Sequence, residues 1–194
     1  LTGLAFLQLT RAVRDALGQD HRYAHVVRVA RLAERLAVRH GEAPERARLA
    51  GLLHDVARLY SAERLVSEST ARGLAIDDFE RTNPIVLHAP LGAEIVRDRF
   101  GIEDPGILSA IRRHTLAAQG MSRLDTIVYL ADALEPGRDF PEREGLEALA
   151  FDDLDRALAA VLRSSIAYLR TRGLVAAPQT LVALETLERT PLSA

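Results

Sequence analysis

Ala47-Arg48-Leu49-Ala50-Gly51-Leu52-Leu53-His54-Asp55 decides the reading of this chain, because small and apolar residues at helical spacing run straight into an adjacent histidine and aspartate. Ala47, Ala50, Gly51 and His54 recur at three and four residues, so His54 shares a face with small side chains that let a second helix come close. The pattern predicts a buried helix with Pro44 in its first turn, continuing through His54-Asp55 to the neighbourhood of Tyr60. A carboxylate there is costly without a partner, and an imidazole nitrogen beside a carboxylate oxygen is a donor pair for a hard or borderline cation. Asp55 follows His54 by about 100° on a helix, so the two converge on one ion only from the rim of a helix contact.

Upstream, the spacing predicts a helix over 5–17 ended by Gly18, then a polar turn at His21, Arg22 and Tyr23. A helix follows with His25, Val29, Leu32, Ala33 and Leu36 on one face, closed by Gly41. Alone, His25 reads as a core histidine bonded to a backbone carbonyl; beside a second inward histidine it becomes a candidate ligand. Downstream, Ser61 caps a helix to about Arg72, whereas Asp77, Asp78 and Glu80 read as solvated loop carboxylates. Pro90 suits the first turn of a helix ending at Phe100 and Gly101, which puts His88 at a helix N-terminus with free N–H groups.

Asp104-Pro105 starts a helix with Ile107, Ile111 and His114 on one face, and a loop follows over Leu116 to Gly120. Ser122-Arg123-Leu124-Asp125 has capping-box spacing, which explains Asp125 as a cap partner. Asp132 sits among Ile127, Val128, Leu130 and Ala131, a second carboxylate in an apolar setting. Glu135-Pro136-Gly137 breaks that helix and turns Arg138 back towards Asp132. From Leu146 onward, Leu154, Leu158, Val161, Leu162, Ser165 and Leu169 make a long amphipathic helix stopped by Gly173, and a final helix follows Pro178; these read as core and cover.

Composition points the same way. With 194 residues, 48% hydrophobic, 5% aromatic and no Trp, the chain predicts an all-α, single-domain helical bundle over 1–194, with a metal-site core at about 20–140 and covering helices at about 144–190. Twenty-five basic and twenty-seven acidic residues leave a net charge of -2 with no basic block, so no nucleic-acid groove is expected. The absence of cysteine excludes thiolate metal sites and Cys nucleophiles, leaving any metal to His, Asp or Glu. The apolar Leu1–Leu9 is short and lacks a basic flank, and no later stretch reaches membrane-spanning length, so a soluble cytoplasmic protein is the expectation. No Gly-rich phosphate loop supports a kinase or dinucleotide-binding reading.

The candidates are therefore His25, His54-Asp55, His88, His114 and Asp132, each on or at the end of a different predicted helix, as a bundle-core site requires. The order H…HD…H…H…D resembles the HD-domain metal-dependent phosphohydrolases. Gly51-Leu52-Leu53-His54-Asp55, Asn83-Pro84 with Leu87-His88-Ala89, Ala110-Ile111-Arg112-Arg113-His114-Thr115, Met121-Ser122 and Ala131-Asp132 with Glu135-Pro136-Gly137-Arg138 further resemble the bacterial HD-domain symmetrical diadenosine tetraphosphate hydrolases, over about 20–180. The resemblance implies His25, His54, Asp55 and Asp132 as metal ligands. It implies iron as the metal, with manganese or another transition metal as alternatives and one or two ions. It also implies cleavage of a dinucleoside polyphosphate to two ADP, and nucleotide contacts from His88, His114, Thr115 and Arg138, with Arg22 a weaker candidate. Arg58 stands where many relatives have lysine, and Leu116-Ala117 replaces a common threonine-glycine pair, which changes the loop beside the phosphate site.

Two imidazoles and two carboxylates leave positions open on a six-coordinate ion for a water and a phosphate oxygen. In this reading Asp55, His88 and His114 are the catalytic residues: Asp55 ligates and receives a proton, while His88 and His114 either stabilise phosphate charge or hold a second metal. The alternatives are an HD phosphohydrolase for another nucleotide, a nucleoside monophosphate or a guanosine polyphosphate alarmone, and a non-catalytic nucleotide-binding module. The expected partners are a nucleotide substrate and its ADP product, with neither nucleic acid nor membrane.

Overall fold

A computed structural model describes residues 3–189; the expectations placed on 1–2 and 190–194, including the first residues of the apolar N-terminal stretch, lie outside the described residues. The elements are α1 (Gly3–Leu17), α2 (Asp20–His40), α3 (Pro44–Leu53), α4 (Ala62–Ala71), α5 (Asp78–Thr82), a 3₁₀ turn (Pro84–Leu87), α6 (His88–Phe100), α7 (Pro105–Arg113), α8 (Arg123–Leu134), α9 (Arg143–Asp152), α10 (Leu154–Thr171) and α11 (Pro178–Arg189). The fold is all-α, with no strand among the described residues. Among the described residues no helix is long and apolar enough to cross a membrane.

Helix α2 is the axis of the packing. Val26, Val29, Ala30, Leu32, Ala33, Leu36 and Ala37 are buried at helical spacing, against α3 on one side and α8 on the other. Gly41 ends it in the left-handed conformation, φ 68°, returning its N–H to Ala37 O. The contact with α3 depends on small residues: a Cβ on Gly51 would lie 2.9 Å from Ala30 Cα, inside van der Waals contact. Helix α7 packs on α3, α6 and α8, and α10 on α8, α9 and α11.

Three local expectations are corrected. The polar turn at His21–Tyr23 is the first turn of α2, which begins at Asp20, so Arg22 stands one turn before His25. Asp77 and Glu80 are a reciprocal capping box that opens α5, an arrangement that spends both carboxylates on orphan N–H groups. The helix through Leu52-Leu53 does not continue to Tyr60: α3 stops at Leu53 and the chain tightens into i→i−3 turns, with Arg58 N–H donating to Asp55 O at 2.9 Å and Tyr60 N–H to Ala57 O at 3.1 Å.

Candidate metal centre

That early stop places the centre. His54 is the C-terminal cap of α3, and its Nδ1 lies 2.8 Å from Gly51 O, one of the carbonyls that a helix end leaves unpaired. His114 repeats this at the end of α7, with Nδ1 2.7 Å from Ile111 O, and His88 at the end of the 3₁₀ turn, with Nδ1 2.5 Å from Ile85 O. A carbonyl only accepts, so each Nδ1 carries the hydrogen and each Nε2 is left with a lone pair. His25 is held differently, with Nδ1 3.1 Å from Glu135 Oε1. All four Nε2 atoms face one buried cluster.

Asp55 lies between them. Its Oδ2 is 3.6 Å from His54 Nε2, 3.7 Å from His25 Nε2 and 3.6 Å from Arg22 Nη1. Its Oδ1 is 3.3 Å from His88 Nε2 and 3.7 Å from His114 Nε2. Asp132 closes the His25 side, with Oδ1 3.1 Å from His25 Nε2 and 3.8 Å from His54 Nε2. On the other side His88 Nε2 and His114 Nε2 are 3.1 Å apart, and Thr115 Oγ1 lies 3.2 and 3.1 Å from them. Arg138 holds the outer face of Asp132, donating from Nη2 to Oδ1 at 2.5 Å and from Nε to its carbonyl at 3.0 Å.

Electrostatics follow from this crowding. Burial alone would push the Asp55 carboxyl up, but His54, His114 and His88 more than offset it and hold it far below the usual carboxylate range. Asp132 behaves likewise, burial being outweighed by His25, His54 and Arg138. Burial pushes His54 down to about 4 and also lowers His88. For His25 burial is overcome by the Asp132 and Glu135 carboxylates, and for His114 by Asp55 and Asp132, so both are raised.

Several of these groups have unmet needs. His25 Nε2 and His54 Nε2 are buried without a hydrogen-bond partner, and His88 Nε2 and His114 Nε2 confront each other with two lone pairs unless a proton or cation intervenes. Ligand atoms of His25, His54 and Asp55, of His54, His114 and Asp132, and of Asp55, His88 and His114 lie within 4.8 Å of one another in each group. Neutral imidazoles and ionised carboxylates are the donors a divalent transition ion takes, so the residues present fit such an ion.

Every site residue singled out in the sequence is in this region. Arg22, Asp55, His88, His114, Thr115, Asp132 and Arg138 line one cavity of about 330 Å³, with His25 and His54 behind it. Sequence reasoning missed three contributors. Glu135 is almost fully buried and holds Arg28 through both carboxylate oxygens as well as His25, and burial is overcome by Arg28, His25 and the Gly137 N–H so that its carboxyl falls to about 2. A Cβ at Gly137 would overlap the Arg28 guanidinium, which explains a glycine in the Glu-Pro-Gly turn. The second is Arg58, on the cavity wall and, among the described residues, without a carboxylate partner. The third is α10, whose Ser165 joins Tyr129 in the lining, although the C-terminal helices read only as cover. A carboxylate closing an apolar helix, with an arginine three residues after a candidate ligand, was the available signal for Glu135 and Arg28.

The HD domain family model matches residues 22–137, and the chain belongs to that family of metal-dependent phosphohydrolases. It is 35% identical over 161 residues to the symmetrical bis(5'-nucleosyl)-tetraphosphatase of Bacillus subtilis, covering 83% of this chain and 86% of that protein. The protein of the same name from Halalkalibacterium halodurans is 35% identical over 168 residues, covering 87% and 89%. A solved structure from Clostridium acetobutylicum, described as a predicted HD superfamily hydrolase involved in NAD metabolism, superposes with a TM-score of 0.90 at 33% identity, covering 94% of this chain and 96% of that one.

Proposed function

We propose that this protein hydrolyses diadenosine tetraphosphate symmetrically, to two ADP, using a metal ion held by His25, His54, Asp55 and Asp132. The observation that carries the reading is the convergence of four Nε2 atoms and two carboxylates beneath a cavity that also presents Arg22, Arg58 and Arg138. Such a floor and rim match a polyphosphate's negative charge and its need for fixed donors. The family resemblance points to iron first, with manganese as an alternative, and the mixed nitrogen and oxygen set accommodates either. When bound, the ion supplies Lewis acidity and a water of lowered pKa for attack on phosphorus.

The chain's own groups have separable tasks. Arg58 and Arg22 bind phosphate oxygens at the cavity wall, and Arg138 holds Asp132 in place while its exposed edge meets the substrate. His88, His114 and Thr115 form the second anchor for phosphate oxygens. Asp55 Oδ1 accepts the proton of the attacking water, and His88 Nε2, 3.3 Å away, is the next acceptor. A new O–P bond forms at one of the two central phosphorus atoms, the bridging P–O bond breaks, and the leaving ADP carries the electron pair. An intracellular nucleotide as substrate fits cytoplasmic residence, which belongs to the same reading.

The test is product analysis. Protein loaded with iron or manganese and given diadenosine tetraphosphate is expected to yield ADP alone. AMP with ATP rejects symmetrical cleavage, and absence of turnover with any nucleotide favours the binding module. Asp132→Ala is expected to lower kcat/KM by on the order of 100-fold or more, and full activity in that variant would remove Asp132 from the site.

A further inference from the structure

One wall of the metal-centre cavity comes from α8 and α10. Helix α8 supplies Tyr129, Asp132 and Ala133, which share a face at three- and four-residue spacing, and α10 supplies Ser165. Asp132 is committed to His25 and Arg138, and Ala133 has no polar side chain, so this wall offers a ligand the hydroxyls of Tyr129 and Ser165. Tyr129 is only 6% exposed and its hydroxyl is hydrogen-bonded to Ser165, so the ring packs in the core and its polar end reaches the cavity. Burial, and then the Asp132 carboxylate, raise the phenol above its ordinary value, which keeps it protonated and able to donate.

The geometry points to Tyr129 as a further catalytic residue, whose hydroxyl donates a hydrogen bond to the bridging oxygen that departs with ADP, and to Ser165 as the positioning residue that aims it. The inference rests on the proposed tetraphosphate hydrolysis and deepens it. Asp55 Oδ1 and His88, which take the proton of the attacking water, lie on one side of the centre. Tyr129 stands one helical turn before Asp132, close enough for that carboxylate to act on its phenol, and so belongs to the other side. In-line displacement puts the leaving oxygen opposite the attacking one, and negative charge grows on it as the bridging P–O bond breaks. A donor fixed there stabilises the transition state more than the bound substrate. Tyr129 keeps its proton throughout: the electron pair goes to the ADP oxygen and the water's proton to Asp55. The long helix that read as cover thereby reaches the chemistry through a single hydroxyl.

Tyr129→Phe in the metal-loaded full chain removes the donor and keeps the packed ring. It is expected to lower kcat for diadenosine tetraphosphate on the order of 10- to 100-fold. KM and metal affinity are expected to change by less than about twofold, as they do when an interaction belongs to the transition state alone. A substrate analogue with methylene as its central bridge offers no acceptor at that point, and it is expected to bind parent and variant alike. Ser165→Ala is expected to lower kcat by a smaller factor and to cost nothing further when added to Tyr129→Phe, because it acts through the hydroxyl already removed. An unchanged kcat in Tyr129→Phe, a loss traced to weaker metal binding, or weaker binding of the methylene analogue overturns the role of Tyr129, and additive losses overturn that of Ser165. A parent protein that turns over no diadenosine tetraphosphate rejects the hydrolase reading and this assignment with it, whereas an active parent with an equally active Tyr129→Phe rejects the assignment alone.

Discussion

At the scale of single residues, the recurring device is a histidine whose Nδ1 is spoken for. His54, His88 and His114 each donate to the carbonyl three residues before, so the same bond that caps a turn also aims the free Nε2 at the centre. His25, inside α2, has no such carbonyl and takes Glu135 instead. Glu135 is therefore a positioning residue, and Glu135→Ala is expected to weaken metal binding about 10- to 100-fold, measured by calorimetric titration. Unchanged affinity would mean that His25 needs no orienting partner. Ala117 is notable here too: it adopts φ 58°, the left-handed region that glycine occupies without cost, in the loop after His114 where the family resemblance leads us to expect glycine.

At the scale of elements, the contact between α2 and α3 sets the spacing of His25 and His54, whose rings lie edge-on with centroids 5.3 Å apart. Gly51 serves both functions of that contact, since its missing Cβ admits the α2 backbone and its carbonyl holds His54. Gly51→Ala is expected to destabilise the fold by about 1–3 kcal/mol through overpacking and to weaken metal binding as the helices separate. Denaturant unfolding and metal titration on the same variant check both parts, and a variant as stable as the parent would show that α3 shifts freely. The element boundary that sequence periodicity misjudged is the productive one. Apolar spacing continues past Leu53, but the i→i−3 bonds after it tighten the turn and bring Asp55 between the histidines instead of to the rim of a helix.

At the scale of the whole molecule, the buried ionisable cluster makes stability depend on pH. His54 and His88 are depressed, so their contribution is present above the unfolded histidine value of about 6.5 and is lost as pH falls through their folded values. His25 and His114 are raised, so theirs is present below about 6.5 and lost as pH rises through their folded values. The two windows meet at about 6.5, so the metal-free protein is expected to be most stable near that pH and to lose stability both as pH rises through the folded values of His25 and His114 and as it falls towards those of His54 and His88. Glu135, Asp55 and Asp132 are all depressed, so the stability they give is present above about pH 4.5 and is lost steeply as pH falls towards their folded values. Urea midpoints across this range check the profile, and a steep loss confined to the upper window would contradict it. The sequence by itself determined the helical class, through its apolar periodicity, and the identities of the candidate ligands, because a carboxylate or imidazole on an apolar stripe stands out without coordinates. Only the tertiary structure decided what those groups do to one another. Asp55 lies between two pairs of histidines, Glu135 reaches His25 across the turn after α8, and α10 brings Ser165 to Tyr129. Each of these is a meeting of residues far apart in the chain, and the local spacing that forms a helix carries no information about which distant helix end will face it.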